Sequence, residues 1–391
     1  MAPTPKKEEL LELAAQKNRA LPRILLAASE CAPLAKTGGL ADVVGTLPKY
    51  LRKLGVDARV MIPYHKIIKD KYSDQVEYLF SFEISLGWRR KFVGVNKLVL
   101  DGTYIWLIEN DEYFGSAIYL PDREGEQYAF FTRAVLEALP RLDFIPDIIH
   151  CNDWHTGMLP LLLKTQYLDS PLAHTKTLLS IHNIAYQGLC SFGFVQDYLG
   201  VPDGCFGLME RFGQASFLKA GVVMADRVST VSPSYAKEIC TWEYGEGLDR
   251  ELSMRGDVCG IANGIDKKIW SPGKDPDIPV KFTKSKMVGK VQCKTALMEE
   301  TGLEVRLDSF LGIFHNHDMV WSNGDAAHVI SAMFTASIVS GEPRIDEESY
   351  ELRFFARDEI PELFAEDHIA SLEAYFGGAR YPLLRENRYK G

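Results

Sequence analysis

Three features of the sequence predict an α/β fold built on a doubly wound parallel sheet. A strand, glycine loop, helix and strand follow one another near the start, strands and helices alternate further on, and polar residues able to do chemistry stand directly after the strands. The apolar run Ile24 to Ala28 reads as the first strand and leads into Lys36-Thr37-Gly38-Gly39-Leu40-Ala41-Asp42-Val43. From Leu40 the residues Val43, Val44, Leu47, Leu51 and Leu54 recur at helical spacing. Gly55 is placed for a left-handed helix end, and Ala58-Arg59-Val60-Met61-Ile62 before Pro63 reads as the next strand. The glycine loop therefore sits at the carboxyl end of a strand, the edge where open α/β sheets bind ligands. Two residues without side chains beside a helix N-terminus let backbone N–H groups approach an anion, and Lys36 adds a point charge.

Runs of β type follow at Val76 to Leu86, Phe92 to Leu100 and Tyr104 to Ile108, broken by Gly87 and Asp101-Gly102; they predict an antiparallel insertion or edge. Gln127 to Leu139 reads as a helix. Pro146 to Cys151 reads as a buried strand ending at Asn152-Asp153-Trp154-His155, followed by a helix from Thr156 to about Tyr167 and a strand from Thr177 to Ile181 ending at His182-Asn183. Glu210 to Met224 reads as helical, Asp226 to Val231 as another buried strand, and Cys259 to Asp266 as a strand and turn. Taken singly, His150, His155 and His182 read as core or capping histidines and Asp153 as a helix cap. Because these groups and the glycine loop each follow a strand, they are expected to converge on one edge of the sheet.

Composition narrows the function. A chain of 391 residues, 46% hydrophobic and 25% charged, has room for two or three domains, and its net charge of −9 argues against a general nucleic-acid surface. No apolar run approaches the ~20 residues of a membrane span. Residues 1–20 mix Lys6, Lys7, Glu8 and Glu9 with Leu10, Leu11 and Leu13, a short amphipathic helix or tail without the apolar centre of a signal peptide. The expectation is a cytoplasmic protein with neither membrane nor nucleic-acid partners. Seven scattered cysteines without a C-x-x-C pair read as reduced thiols.

Five ordered motifs carry a resemblance. They are Lys36 to Val43; His150-x-x-Asp153-Trp154-His155; Ile181-His182-Asn183-x-Ala185-Tyr186-Gln187-Gly188; Val231-Ser232-Pro233-Ser234-Tyr235-Ala236-x-Glu238-Ile239; and Asn263-Gly264-Ile265-Asp266-x-x-x-Trp270-x-Pro272. Together they resemble the bacterial glycogen synthase and plant starch synthase family. The resemblance implies a Rossmann-like N-terminal domain of the GT-B type, in which glucose passes from ADP-glucose or UDP-glucose, ADP being the favoured carrier, to an α-1,4-glucan with retained configuration. It implies that Lys36, Gly38 and Gly39 face the donor pyrophosphate, that His182 and Asn183 line the reacting glucose, and that Asp153, Asp42 and Tyr119 position glucose or the acceptor end. His182 and Asp153 would be the catalytic pair, and Asn263 would face the cleft at a domain junction. The surroundings of Tyr119, Ser116-Ala117-Ile118-Tyr119-Leu120, depart from the family's Gly-x-Pro-Tyr pattern. No cofactor or metal is implied for the transfer.

Beyond the junction helix the sequence changes character. The Ser-Arg-Leu and Glu-Pro-Cys-Gly-Leu segments that the family places in its second, donor-binding domain are missing, and the residues after Leu303 are too few for a Rossmann domain. Glu299-Glu300-Thr301-Gly302-Leu303-Glu304-Val305 and the runs after it resemble the second half of a Nudix hydrolase, a small α+β fragment. Its box is incomplete, with Lys281, Met287, Thr295 and Ala296 at the glycine, glutamate and Arg-Glu positions. Glu299 and Glu300 are what remains of its Mg²⁺ ligands, so Mg²⁺ enters only with that reading. The expected organisation is a tail at 1–20, the synthase-like domain at 21–266, a linker and junction helix at 267–296, and a partial Nudix-like segment at 297–391. His315, Asn316, His317 and Asp318 read as a polar loop between strands. This chimera is expected to be an impaired glucosyltransferase, the alternatives being a nucleoside-diphosphate hydrolase and a non-catalytic glucan-binding fusion.

Overall fold

A computed structural model describes residues 21–266 continuously and, beyond them, 271–276, 278–301, 303–320, 326–341, 360, 366–376 and 383–385. The amphipathic stretch expected at 1–20, and the runs 350–355 and 358–363 apart from Ile360, lie outside the described residues. The chain divides into two units, Met1–Asp266 and Lys267–Gly391.

In the first unit, β1 (Arg23–Ala27) pairs in parallel with β2 (Asp57–Pro63) on one side and with β6 (Ile148–Asn152) on the other. Beyond β2, the strand β5 (Thr103–Glu109) is parallel, and β4 (Arg89–Leu100) and β3 (Glu77–Leu86) complete that side antiparallel; of the three runs expected in an antiparallel insertion or edge, Val76 to Leu86 and Phe92 to Leu100 lie there, whereas Tyr104 to Ile108 is a further parallel strand, paired with β2. On the other side β7 (Lys176–Ile181), β11 (Arg227–Thr230) and β12 (Cys259–Gly260) continue in parallel. The order is β12-β11-β7-β6-β1-β2-β5-β4-β3. A separate three-stranded sheet is formed by β8 (Leu189–Cys190), β9 (Glu210–Arg211) and β10 (Gln214–Ser216).

Helix α1 (Gly39–Lys53) joins β1 to β2, with Asp42 in its first turn and Arg52 and Lys53 in its last, each opposite in sign to the dipole end it occupies. Gly55 follows at φ +94°, the left-handed conformation expected there. Side chains of the central strands alternate between two cores. Leu26, Val60 and Ile62 pack with Leu40 and Val44 of α1 on one face. Leu25, Ala27 and Met61 pack on the other with α2 (Glu124–Arg141), α3 (Met158–Gln166) and α4 (Phe217–Met224). Leu25, Leu26 and Ala27 are all fully buried, as a parallel strand covered on both faces requires. Leu26→Ala is therefore expected to cost about 3 kcal/mol in urea unfolding; a loss under about 1 kcal/mol would show that the α1 face relaxes around the hole.

Two local readings are corrected. Glu210 to Met224 is not one helix: Phe212 and Gly213, at φ +48° and +78°, turn β9 back onto β10, and only α4 is helical. The helix expected from Thr156 begins as a 3₁₀ turn, Trp154–Thr156, and becomes α3 after Gly157. A Cβ at Gly157 would lie 2.2 Å from the Phe217 carbonyl oxygen, so glycine permits this close approach to α4.

The second unit holds α5 (Val288–Thr301), the antiparallel pair β13 (Leu303–Val320) and β14 (Ala326–Gly341), α6 (Glu366–Phe376), and β15 (Leu383–Arg385), which lies parallel to β13. Residues 315–318, expected as a loop, lie within β13.

Candidate active site

All the parallel strands present their carboxyl ends on one edge, and three of them deliver the predicted groups there. β6 ends in Asn152, and Asp153 follows it directly. The Asn152 amide nitrogen donates to the carbonyls of Ala27, at 3.1 Å, and His150, at 3.2 Å, tying β6 to β1. That assignment turns Asn152 Oδ1 toward His182 Nε2, 3.0 Å away at the end of β7. A side-chain amide oxygen can only accept, so Nε2 carries the hydrogen and Nδ1 of His182 holds a lone pair. Nδ1 is buried and has no partner among the described residues. Burial lowers the His182 pKa to about 4 despite the opposing pull of Glu30, so the ring is neutral near pH 7.

Asp153 is 7% exposed and stands at φ +53°, ψ −171°, a conformation rarely adopted outside glycine. Its Oδ1 accepts from the backbone nitrogens of His182 at 2.7 Å and Asn183 at 3.2 Å, which fixes the turn after β7. Burial pushes its pKa up to about 7 against the lowering effect of those two donors, with Glu30 adding to the rise. Asn183 is exposed beside it, its side-chain oxygen accepting from Ala185 N. His155 is buried, stacks on Tyr119 with ring centroids 5.3 Å apart, and is held at about 3 by burial.

The glycine loop follows β1. Lys36 Nζ lies 2.8 and 2.9 Å from the two carboxylate oxygens of Asp42, an exposed pair of small net energy that an anionic ligand can exchange. A Cβ built at Gly38 or Gly39 meets nothing within 4 Å, and neither residue is at positive φ. The fold thus makes no demand for glycine at either position. Gly39 opens α1, whose N-terminus has no side-chain cap. The Gly38 nitrogen, expected to face a ligand, is directed at Glu30, with Oε2 at 3.4 Å.

Glu30 and Asn152 are the residues that reading the sequence missed. Glu30 is 2% exposed, just past β1, and accepts from Thr37 N at 2.5 Å, Thr37 Oγ1 at 2.6 Å and the Tyr119 hydroxyl. Tyr119 also lies 3.2 Å from Ser29 Oγ, and burial together with Glu30 raises its pKa. The signal available was a lone carboxylate in the otherwise uncharged run Ala27 to Ala35, six residues before Lys36. Asp153, His182, Asn183, Tyr119, Glu30 and the glycine loop thus gather at neighbouring strand ends. Asn263 is exposed three residues past β12, outside this hydrogen-bonded group. A separate cleft of 460 Å³, lined by Glu83, Arg90, Arg133, Glu137 and Gln166 among others, shares no residue with the group. Glu299 lies in α5 of the second unit, as does Glu300.

Residues 23–254 match the family model described as the starch synthase catalytic domain. Over 291 residues the chain is 44% identical to glycogen synthases of Streptococcus mutans and Streptococcus sanguinis, and over 297 residues 42% identical to that of Streptococcus pneumoniae. Each alignment covers 73% of this chain, which spans 61% of the length of those relatives. Among solved structures, the catalytic domain of starch synthase IV from Arabidopsis thaliana, bound to ADP and acarbose, superposes with a TM-score of 0.67 at 28% identity, covering 75% of this chain and 62% of that one. The strand-end site therefore sits in a matched catalytic domain, and the chain belongs to the starch synthase catalytic-domain family.

Proposed function

We propose that residues 21–266 form the glycine-loop half of a glucosyl-transfer site, which moves glucose from ADP-glucose to an α-1,4-glucan with retained configuration. One observation carries this: Gly38 and Gly39 lack side chains where the fold leaves room for them, next to Lys36 and an uncapped helix N-terminus. That is the arrangement a diphosphate requires. Negative charge develops on the leaving phosphate oxygen as its bond to the anomeric carbon breaks. Lys36 and the first-turn N–H groups of α1 would stabilise it there. The Nδ1 lone pair of His182 would accept a sugar hydroxyl hydrogen, satisfying a buried acceptor that otherwise has no partner. Asp153 would act through the backbone it fixes, orienting His182 and Asn183 toward glucose. Asp42 would release Lys36 to the diphosphate and turn to the sugar, Tyr119 would flank the acceptor, and Asn263 would face the cleft. No step in this reading passes through a metal or cofactor, and UDP-glucose is the less favoured donor.

The similarity of the glycogen synthases of Streptococcus and the ADP bound to the plant neighbour support the donor and acceptor classes. Since the motifs of the opposite, donor-binding wall are missing from the sequence, turnover by this chain alone is proposed to be low. Cytoplasmic residence and the lack of membrane and nucleic-acid partners belong to the same proposal; among the described residues no helix is long and apolar enough to cross a membrane. Transfer from ADP-glucose to glycogen is expected to fall roughly a hundredfold in Lys36→Ala and in His182→Ala. Rates indifferent to both substitutions would place the chemistry elsewhere. Retention on glycogen without any turnover would instead favour a glucan-binding module. For residues 297–391 the Nudix-like reading is proposed on the order of α5 followed directly by β13, which that resemblance implies. Its test is Mg²⁺-dependent release of AMP from ADP-glucose, lost in Glu299→Gln and Glu300→Gln.

A further inference from the structure

We propose that Glu30 is a positioning residue of the transfer site: its carboxylate clamps the Thr37–Gly38 backbone to the Tyr119 hydroxyl and so sets where the glycine loop meets the donor diphosphate. The inference rests on the glucosyl-transfer reading. Thr37, Gly38 and Gly39 are exposed, and a loop of this composition has little of its own to fix its course. The group that fixes it lies beneath. Glu30 is 2% exposed and follows the end of β1, the central strand. Four donors converge on it: Thr37 N, Thr37 Oγ1, Gly38 N and Tyr119 OH. A carboxylate taken out of water is tolerated only when its lone pairs are filled, and here the filling donors come from two segments, the loop at 37–38 and the stretch at 119.

The clamp decides which amides are free. Thr37 N and Gly38 N point inward to the carboxylate, so the loop offers a ligand the amides of α1's first turn, beginning at Gly39, together with Lys36. The same carboxylate places Tyr119, whose ring stacks on His155 next to Trp154. One buried group therefore coordinates the diphosphate side and the acceptor side of the site. Glutamine in its place keeps the shape but turns two N–H groups toward donors, so it cannot accept from Thr37 N, Thr37 Oγ1 and Tyr119 together.

The test uses the full chain with Glu30→Gln, Glu30→Asp and Tyr119→Phe. In Glu30→Gln, amide hydrogen exchange at Thr37 and Gly38 is expected to rise ~100-fold while the amides of β1 and β6 keep their protection. In the transfer assay kcat is expected to fall at least about tenfold, and Glu30→Asp, which shortens the reach, should not restore it. Inorganic pyrophosphate titrated against the wild type is expected to shift the Gly39 amide resonance, and in Glu30→Gln to lose that dependence. Should Glu30→Gln fail to fold, Tyr119→Phe removes one donor from the same carboxylate and is expected to give the same pattern in weaker form. If the wild type transfers no glucose, the glucosyl-transfer reading falls, and the exchange and pyrophosphate measurements still decide the clamp. Unchanged exchange at residues 37–38, or a loss of protection spread evenly over the sheet, overturns the proposal.

Discussion

Alanine at Gly188 is expected to cost roughly 3–4 kcal/mol of stability, whereas alanine at Gly38 or Gly39 is expected to leave urea unfolding nearly unchanged and to depress transfer. Gly188 stands at φ +60°, and a Cβ there would lie 2.2 Å from Cε3 of Trp154. Trp154 cannot retreat, since its ring packs edge-on against Tyr128 at 5.2 Å and Phe217 at 6.2 Å. The strain and the overlap therefore add. At Gly38 and Gly39 the new methyl meets open space; at Gly39, the first residue of α1, alanine is if anything the better helix former, and at Gly38, the N-cap, it costs at most about 1 kcal/mol. What the methyl obstructs is the ligand's approach, with an expected loss of about tenfold or more in transfer. Urea unfolding and initial rates on the three variants separate the two roles. If Gly38→Ala or Gly39→Ala loses more than about 1 kcal/mol, the glycines serve the fold and the argument for a diphosphate there fails.

Stability is expected to climb steeply as pH rises from about 4 to about 6.5. Burial lowers the pKa of His65, His150 and His182 to about 4 and that of His155 to about 3. An unfolded chain binds these four protons near pH 6.5, while the fold refuses them until about pH 4. Within the window the unfolded state holds more protons, so stability rises with pH and is complete above it. Asp153 works the other way. With its pKa pushed up to about 7, the fold keeps a proton that the unfolded chain has released, so its contribution is present at low pH and lost between about 4 and 7. Glu124, raised by burial, opposes the histidines in the same sense as Asp153. With four histidines set against Asp153, the net effect through mid-window is a rise of stability with pH. Urea midpoints at half-unit steps from pH 4.5 to 7.5 measure it. Asp153→Asn removes the opposing group and should steepen the climb; a flat profile would mean that the histidines are not held neutral.

Much of the architecture was legible because its signals are local. The change from a strand run at Ile24 to Ala28 to helical spacing from Leu40 needs no distant partner, and parallel alternation then places Asp153 and His182 on the edge that holds the glycine loop. Glu30 could not be read in this way. Its partners Thr37 and Tyr119 lie 7 and 89 positions away, so the lone carboxylate of an uncharged run marks the residue without showing what it holds. The β9–β10 hairpin was hidden for a related reason. Met209, Phe212 and Ala215 repeat at helical spacing, and what overrides them is pairing with Leu189–Cys190, over twenty residues earlier. The Nζ–carboxylate pair of Lys36 and Asp42 is not legible in the sequence either, because each residue taken alone reads as a contact to a ligand rather than to the other.

The most direct measurement incubates the chain with ADP-glucose carrying labelled glucose and with glycogen, then locates the label. Slow incorporation at glucan ends in α-1,4 linkage is expected, lost on Lys36→Ala and on His182→Ala. Label recovered only as free glucose or unreacted ADP-glucose, or incorporation that survives both substitutions, would contradict it.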